Sequence, residues 1–381
     1  MIHATKMAAD DTSVEVVVVG AGVTGLSVAW HLRARGVAVR VLDRSGVGAG
    51  ASGVQPGGVR QQWGTTVNCR LARESVGFYR EADERLESRV PLGFTPCGYL
   101  FLAESETALE GMRANVAIQN DCGVPSRLVT SSEAARLVPG LSVGSVVGAA
   151  WCDEDGYFDR PQAVVEAFAR GIDVRIAHVH ALAREAGGWR IELADGDRLM
   201  APNVVVAAAV ETAALLRPLG VDLPIAGEDR FLFLSRPVRE RLLEPLVIAA
   251  ERRFAAKQLA DGRVLASDLS AAGDPSEQQE RWRAAIRAAI RELLPALEYV
   301  DFPLLVHGVY DTTPDQQAII GAVDDGLWVA AGFSGHGFMI APAVGRMVAE
   351  AILGDGIDPA LHAFAPQRFA EGRSVPEPQV V

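Results

Sequence analysis

The pattern of apolar and polar positions is clearest at the start of the chain. Residues 14–19 form an almost unbroken β-branched run, which is typical of a parallel strand buried on both faces. A glycine-rich turn follows at residues 20–25, and a helical stretch with apolar residues on one side extends to Arg35. A second apolar run at residues 37–42 completes a predicted strand–helix–strand unit.

The turn between the first strand and the helix has the spacing of a dinucleotide-binding fingerprint. Gly20 permits the tight turn, Gly22 lets the backbone approach a pyrophosphate, and Gly25 lets the helix pack close to the strand. Asp43 ends the second strand eighteen residues after Gly25, and a carboxylate there accepts hydrogen bonds from ribose hydroxyls. Because all these features are in register, the sequence predicts a bound dinucleotide.

Two further glycine-rich stretches indicate the kind of dinucleotide. One covers residues 46–58 and suits a cofactor that lies extended and has a second cradle for its far end. The other follows the apolar run 327–330 and precedes a helix that extends through Ile352, where backbone N–H groups stabilise negative charge. The fingerprint alone fits NAD and FAD, but these two loops favour FAD.

The middle of the chain has the patterns of a mixed α and β structure. Short β-rich runs predict strands at residues 99–102, 174–182, 231–234 and 264–267, and an amphipathic pattern predicts a helix at residues 277–294. No internal repeat or low-complexity linker is visible in the sequence. The length suits one large domain or two ordinary domains.

Composition narrows the classes of partner. The 381 residues carry a formal net charge of −12 and no basic stripe, so no nucleic-acid partner is expected. The cysteines at positions 69, 97, 122 and 152 are too far apart for a zinc site or disulfide framework, which predicts no metal and a cytoplasmic protein. Glycines and a proline interrupt the apolar stretch 327–344, so no membrane insertion is expected. Residues 1–13 are expected to form a disordered tail.

Several short motifs, taken in order, resemble those of a known family. They are the N-terminal fingerprint, Ala51-Ser52 with Gly57-Gly58-Val59-Arg60, Gly98-Tyr99-Leu100, Asp155-Gly156 with Asp159, Thr313-Pro314-Asp315, and Gly335-His336-Gly337-Phe338. Together they resemble the D-amino-acid oxidase (DAO) family of FAD-dependent oxidoreductases. They are most similar to its branch of sarcosine oxidase β-subunits and dimethylglycine and proline dehydrogenases. The resemblance extends over nearly the whole chain.

The resemblance implies an α/β and α+β fold with two interleaved domains. A Rossmann-like FAD-binding domain of the glutathione-reductase type would comprise residues 14–90, 149–222 and 306–370. A mixed-sheet substrate-binding domain would comprise residues 91–148 and 223–305, and residues 371–381 would form a C-terminal tail.

The resemblance also implies which residues hold FAD. The expected cofactor-binding residues are Gly20, Gly22, Val23, Thr24, Gly25, Asp43, Arg44, Ala51, Ser52, Gly57, Gly58, Val59, Val179, Ala207, Ala208, Gly332, Gly335, His336, Gly337, Phe338 and Met339. The backbone of Val179 would meet the adenine. FAD is expected to be non-covalent, because monomeric sarcosine oxidases attach flavin through a cysteine where this chain has Gly308.

Three positions depart from the family pattern. Ala209 stands where the family segment over the dinucleotide has glycine, and its Cβ is expected to narrow the approach to the ribose or pyrophosphate. The arginine of glycine oxidases that pairs with the substrate carboxylate falls near Tyr310, and a lysine of monomeric sarcosine oxidases is Met339 here. Two familiar carboxylate anchors are therefore absent.

The chemistry implied by the resemblance is oxidation of a C–N bond in a small amine or amino acid, such as sarcosine (N-methylglycine), proline or a D-amino acid. A hydride leaves for flavin N5, water hydrolyses the imine, and oxygen or another acceptor takes the electrons. Arg60 is the candidate for binding an anionic substrate group, and His336 lies in the loop expected to stabilise reduced flavin. Tyr310 and His307 are candidates for shaping or polarising the pocket.

Other hypotheses stay open at this point. One is a flavin-binding subunit or assembly protein with little or no amine turnover, which the absent anchors and Ala209 favour. Another is an NAD-dependent dehydrogenase with a similar fingerprint. Partner subunits are compatible with either flavoprotein hypothesis. For Arg60, the competing interpretation is a structural ion pair near the flavin.

Overall fold

The computed structural model describes residues 14–379. The disordered tail predicted for residues 1–13 lies outside the described residues. The strands, in chain order, are β1 Val16–Val19, β2 Val39–Asp43, β3 Gly58–Val59, β4 Phe94–Thr95, β5 Tyr99–Ala103, β6 Arg127–Thr130, β7 Gly148–Cys152, β8 Gly156–Phe158, β9 Asp173–Ile176, β10 Val179–Glu185, β11 Gly188–Leu193, β12 Arg198–Ala201, β13 Asn203–Val206, β14 Ala226–Leu234, β15 Leu246–Ala249, β16 Phe254–Gln258, β17 Val264–Asp268, β18 Leu304–Thr312, β19 Ile319–Asp324 and β20 Leu327–Ala331.

Helices cover the sheets or connect their strands. In chain order they are α1 Val23–Arg33, α2 Ala51–Val54, α3 Thr66–Arg80, α4 Ala82–Arg85, α5 Glu106–Asp121, α6 Ser131–Leu137, α7 Pro161–Phe168, α8 Thr212–Leu216, α9 Pro275–Leu293, α10 Gly337–Leu353 and α11 Ala360–Phe364. Among the described residues, no helix combines the length and apolar character needed to cross a bilayer.

The first large sheet contains the N-terminal fingerprint. Its strand order is β19-β20-β13-β1-β2-β9, and every pairing is parallel except that of β19 with β20. All four residues of β1 are buried, as expected for a central parallel strand. The predicted strand–helix–strand unit is confirmed, with α1 ending at Arg33 and β2 ending at Asp43.

The second large sheet is mixed and has eight strands in the order β18-β14-β17-β16-β15-β5-β7-β6. Helix α9 covers one face, where Phe231 stacks on Trp282 with ring centroids 4.3 Å apart. Together the two sheets confirm the predicted α/β and α+β class. The predicted domain boundaries stay a prediction, and β7 and β18 extend this sheet across the boundaries placed at residues 149 and 306.

The single strand predicted at residues 174–182 is wrong. The chain forms β9, which pairs with β2 in the first sheet, and then β10, which pairs with β11 in a separate three-stranded sheet. The backbone N–H of Ala177 donates to the carbonyl of Asp43 between them. Both pieces have similar apolar patterns, so periodicity alone did not reveal the change of sheet.

The predicted C-terminal tail is mostly exposed in its described part, but Glu377 anchors it to the protein. The Glu377 side chain accepts hydrogen bonds from Gly64 N at 2.7 Å, Thr65 Oγ1 at 2.7 Å and Asn68 Nδ2 at 2.8 Å. Glu377 is only 3% exposed. This segment therefore fixes the start of α3.

Candidate functional site

Each of the three fingerprint positions requires glycine for a different physical reason. A Cβ on Gly20, whose φ is +112°, would lie 2.2 Å from the carbonyl oxygen of Ala207, and one on Gly25 would lie 2.1 Å from the carbonyl oxygen of Gly20. Both contacts are too short for any side chain. Gly22 has ordinary backbone angles and faces open space, with Ser52 Oγ as its nearest obstacle at 3.2 Å. Gly22 is therefore the glycine that leaves room for a ligand.

An outer cavity of about 640 Å³ begins at the end of β2. The Asp43 carboxylate lines it and accepts hydrogen bonds from Ala21 N at 2.8 Å, Ser45 N at 2.8 Å and Gly46 N at 2.9 Å. Arg44, which forms an ion pair with Glu211, lies beside it. Asp43 thus holds the fingerprint turn and the loop after β2 in place, and it also presents a carboxylate to the cavity.

An inner cavity of about 140 Å³ lies between the fingerprint, the loop after β20 and the end of β18. It shares six lining residues with the outer cavity: Gly22, Ala51, Ser52, Ala207, Ala209 and Val309. The two cavities therefore form one elongated channel that runs from Asp43 past the N-terminus of α1 to the start of α10. A helix N-terminus beside such a channel favours a pyrophosphate.

Most of the predicted cofactor residues line this channel. The outer cavity is lined by Gly20, Gly22, Asp43, Arg44, Ala51, Ser52, Val179, Ala207 and Ala208. The inner cavity adds Val23, Thr24, Gly58, Gly335, Gly337, Phe338 and Met339. Five predicted residues line neither cavity: Gly25, Gly57, Val59, Gly332 and His336.

A family model described as FAD dependent oxidoreductase (DAO) matches residues 15–351. The chain belongs to the DAO family of FAD-dependent oxidoreductases. A glycine oxidase of Pseudomonas aeruginosa is 29% identical over 93% of this chain and 99% of that protein. The 4-methylaminobutanoate oxidase (formaldehyde-forming) of Paenarthrobacter nicotinovorans is 27% identical over 93% of this chain but only 45% of its own length.

A solved structure gives the same picture of this DAO-family chain. The L-proline dehydrogenase from P. horikoshii superposes with a TM-score of 0.87 at 28% identity, covering 94% of this chain and 98% of that one. The predicted family, fold class and FAD cofactor are confirmed. The hypothesis of an NAD-dependent dehydrogenase is therefore set aside.

The channel fits FAD on grounds of its own geometry. Gly22 leaves space where a side chain would block a pyrophosphate, and the backbone N–H groups at the start of α10 border the inner cavity. The residues that would hold FAD are Asp43 at the adenosine end, the fingerprint at the pyrophosphate and the start of α10 at the flavin.

Ala209 has a strained backbone in the position where the family has glycine. Its φ is +49°, a left-handed conformation that costs a non-glycine residue about 1–2 kcal/mol, and it lines both cavities. We expect Ala209→Gly to raise the free energy of unfolding by about 1 kcal/mol and to leave FAD affinity equal or tighter. Denaturant unfolding and FAD titration would measure both. A less stable variant would show that the strain is compensated elsewhere.

The face of the second sheet opposite α9 is turned towards the inner cavity. Strand register places Tyr99, Lys257, Arg230 and Tyr310 on this face. A Cβ on Gly58 would lie 1.9 Å from the Tyr99 hydroxyl, and one on Gly335 would lie 2.3 Å from the Tyr310 ring. We call these four residues the polar face.

Lys257 is the buried cation of the polar face. It is 2% exposed, its Nζ donates to the carbonyl of Pro56, and it lies 4.0 Å from the centroid of the Tyr157 ring. Burial lowers the pKa of Lys257 to about 7. Pro56 lines the inner cavity, so Lys257 lies directly behind its wall.

Arg230 is the accessible cation of the polar face. Its side chain is 25% exposed and pairs with Glu228 at 2.6 Å, and its guanidinium carbon lies 5.0 Å from the centroid of the Tyr310 ring. Glu228 is itself 49% exposed, so the pair is screened by water and exchangeable. Tyr310 lines the inner cavity, which brings Arg230 next to that cavity.

Arg60 does not face the channel in this structure. Its side chain is fully buried, and its guanidinium donates to the carbonyls of Gln62 and Gln379, the latter at 2.6 Å, and lies 3.7 Å from the centroid of the Trp63 ring. These carbonyl and ring contacts are structural, although none is the ion pair named as the competing interpretation. Arg60 lines neither the outer nor the inner cavity.

The two histidine candidates also lie away from the inner cavity. His336 is buried edge-on against Trp63, with ring centroids 4.2 Å apart, and burial holds its pKa well below the usual range, so the ring is neutral. His307 is half-exposed, lines the outer cavity and lies 2.7 Å from Asp229 Oδ1. Of the four catalytic candidates, only Tyr310 lines the inner cavity.

Sequence reasoning assigned no role to three polar groups near the inner cavity. Lys257 is the one charged residue of the buried strand β16, which is a readable signal because charged residues are rarely buried without a partner. Arg230 follows Glu228 and Asp229 at the exposed end of β14, so the sequence does not mark it in this way. Asp311 follows Tyr310 and lines the inner cavity. Its position beside a glycine-rich loop is visible only in three dimensions.

Proposed function

We propose that this FAD-dependent oxidoreductase oxidises the C–N bond of a small amine or amino acid that carries an acidic group. The observation that carries the proposal is the polar face: Arg230 and Lys257 lie beside an inner cavity that continues into the FAD channel. The names of the relatives, which refer to glycine, 4-methylaminobutanoate and L-proline, support a substrate with both an amine and a carboxylate.

The chain's own residues have distinct roles in this proposal. Bound FAD supplies the hydride acceptor. Arg230 pairs with the substrate's acidic group in place of Glu228, and the Tyr310 ring forms the wall against which the substrate packs. The backbone N–H groups at the start of α10 stabilise negative charge on reduced flavin. Neutral His336 adds no charge there.

Anaerobic mixing with amines tests the reaction class. We expect the visible flavin absorbance to bleach with one or more of a panel of N-methyl, cyclic and D-amino acids. Readmission of oxygen separates an oxidase, which recovers its colour rapidly, from a dehydrogenase, which needs another acceptor. Bound FAD that no amine reduces would instead favour the flavin-binding subunit or assembly protein. Size-exclusion chromatography of native extracts would test for partner subunits, and cell fractionation would test a cytoplasmic location.

FAD is expected to be non-covalent. Gly308 offers no sulfur, and none of the four cysteines lines either described cavity. After acid precipitation, all the yellow colour should remain in the supernatant. Colour retained in the pellet would contradict this prediction and would identify another attachment residue by peptide mapping.

Replacement of Arg230 tests the acidic group of the substrate. We expect Arg230→Gln to raise KM for a carboxylated amine by roughly 10- to 100-fold, equivalent to about 1.5–3 kcal/mol for a hydrogen bond to a charged group, with little change in kcat. The matching amine without the carboxylate should be unaffected. Steady-state kinetics on both substrates measure the difference.

Arg281→Gln is the control for charge alone, because Arg281 is exposed on α9, which covers the opposite face of the same sheet. It should leave both KM values unchanged. If Arg230→Gln raises KM equally for both substrates, Arg230 supports the fold of the site and does not bind the carboxylate.

A further inference from the structure

Asp311 fixes the loop between β20 and α10 in two ways. Its carboxylate oxygen Oδ2 accepts a hydrogen bond from Gly332 N at 2.6 Å, and the N–H of Phe333 also faces the carboxylate. Its backbone carbonyl accepts a hydrogen bond from Ser334 N at 2.8 Å. One residue of β18 therefore holds three consecutive residues of the loop.

The loop needs such an anchor because its backbone is strained. Gly332, Ser334 and Gly335 have φ values of +70°, +51° and +87°, and Ser334 is not a glycine. A conformation of this kind persists only when surrounding contacts impose it. The loop leads directly into α10, whose first N–H groups border the inner cavity. Asp311 thus acts on the flavin end of the channel through the loop.

The charge of Asp311 has no cation to balance it in the part of the chain that the structure describes. Asp311 is 9% exposed, and the contacts that favour its ionised form are backbone N–H groups. The charged or titratable side chains on the neighbouring elements are Glu228, Asp229 and Arg230 on β14, His307 and Tyr310 on β18, His336 in the loop and Arg60. None of them shifts the pKa of Asp311, which burial raises to about 6.

We propose that Asp311 is a positioning residue of the flavin site that also lowers the reduction potential of bound FAD through its negative charge. It lines the inner cavity, where the flavin end of FAD is expected. A carboxylate in a poorly solvated site opposes the added negative charge of reduced flavin. Because the pKa of Asp311 is raised, its charge is present at pH 8 and largely lost at pH 5.

The test measures the FAD reduction potential of the holoenzyme at pH 8 and pH 5, with a reference dye in an anaerobic titration. Asp311→Asn removes the charge and keeps the size. At pH 8 it should shift the reduction equilibrium towards reduced FAD by at least tenfold, which is about 30 mV for a two-electron couple. At pH 5, where wild-type Asp311 is protonated, the two potentials should coincide.

Two further variants separate charge from position. Asp311→Glu keeps the charge and should retain the wild-type potential at pH 8 within a few-fold in the equilibrium. Asp324→Asn removes a half-exposed carboxylate on β19 and should leave the FAD reduction potential unchanged at both pH values. Asp311→Ser serves as the neutral variant if Asp311→Asn does not retain FAD.

Three results would overturn the proposal. A difference between Asp311→Asn and wild type that is equal at both pH values would indicate altered loop geometry alone. Equal reduction potentials of Asp311→Asn and wild type at pH 8 would show that the charge of Asp311 does not affect the flavin. If neither neutral variant retains FAD while Asp311→Glu does, Asp311 anchors the loop and the electrostatic role is rejected.

Discussion

Gly22→Val should produce a folded protein that no longer binds FAD. A Cβ at this position already lies 3.2 Å from Ser52 Oγ, and the two methyl groups of valine would extend into the channel at the N-terminus of α1. The pyrophosphate has to approach the backbone there. We expect FAD affinity to fall by about 3 kcal/mol or more, which is roughly a hundredfold or greater. Fluorescence titration of the apoprotein with FAD measures the loss.

The apoprotein should keep most of its stability in this variant, because Gly22 has an ordinary φ of −74° and the one close contact of an added Cβ among the described residues is with the side-chain hydroxyl of Ser52. Gly111→Val is the matched control, because Gly111 lies on α5 and the structure describes no atom within 4 Å of an added Cβ. We expect the Gly111→Val variant to bind FAD with the affinity of wild type. Recovery of fully loaded Gly22→Val would show that the fingerprint does not border the pyrophosphate.

Most of the residues predicted to hold FAD line the channel, because their sequence signals are local. Gly25 is required by its contact with Gly20 in the same strand–helix–strand unit, and Gly20 by its contact with Ala207, the residue after the adjacent strand β13. The strand, the turn and the helix each have a recognisable pattern in consecutive residues, so their order and spacing could be read directly. The start of α10 could be recognised in the same way, from an apolar run, a glycine-rich loop and a helix that follow one another in the chain.

The substrate side could not be predicted in this way because it depends on pairings between distant segments. Lys257 and Arg230 share a face with Tyr99 and Tyr310 only through the register of six strands. A shift of one residue in any strand would turn its side chain to the α9 face. A single sequence gives the strands but not this register.

Arg60 shows the same limit for a single side chain. Its position close to Gly58 suggested that it faces the flavin, but one of its two hydrogen-bond partners is the carbonyl of Gln379, 319 residues away. The position of that segment follows from Glu377, which binds the start of α3. No local pattern near Arg60 carries this information.

The motif Thr313-Pro314-Asp315 depends on a buried ion pair whose loss should be severe. Asp315 accepts hydrogen bonds from Arg368 Nε at 2.8 Å and Arg368 Nη2 at 3.0 Å, with both side chains at most 2% exposed. Arg368→Met leaves the carboxylate buried without its cation. Breaking one side of such a pair costs about 3–5 kcal/mol, and we expect a loss of unfolding free energy in this range. Denaturant unfolding at pH 7 measures it.

The dependence of the unfolding free energy on pH reports the contribution of this ion pair. Burial alone would raise the pKa of Asp315, but hydrogen bonds from Arg368 and Ser374 hold it below its ordinary value. A lowered pKa adds stability that is complete above the ordinary aspartate pKa of about 4 and lost as the pH falls further. In Arg368→Met, burial without the cation raises the pKa of Asp315, so its carboxyl takes up a proton above pH 4. The difference in stability between wild type and Arg368→Met should therefore be largest near pH 7, begin to shrink as the variant's carboxyl is protonated, and shrink further below about pH 4 as the stabilisation of wild type is lost.

Two variants decide whether the unpaired charge causes the loss. Arg368→Met combined with Asp315→Asn removes both charges and should be more stable than Arg368→Met alone, because no buried ion is left without a partner. Arg373→Met removes an arginine that is 49% exposed and pairs with Glu371, and it should change stability by no more than about 0.5 kcal/mol. If the double variant is no more stable than the single one, the loss comes from the packing and carbonyl contacts of the Arg368 side chain, and the ion pair contributes little.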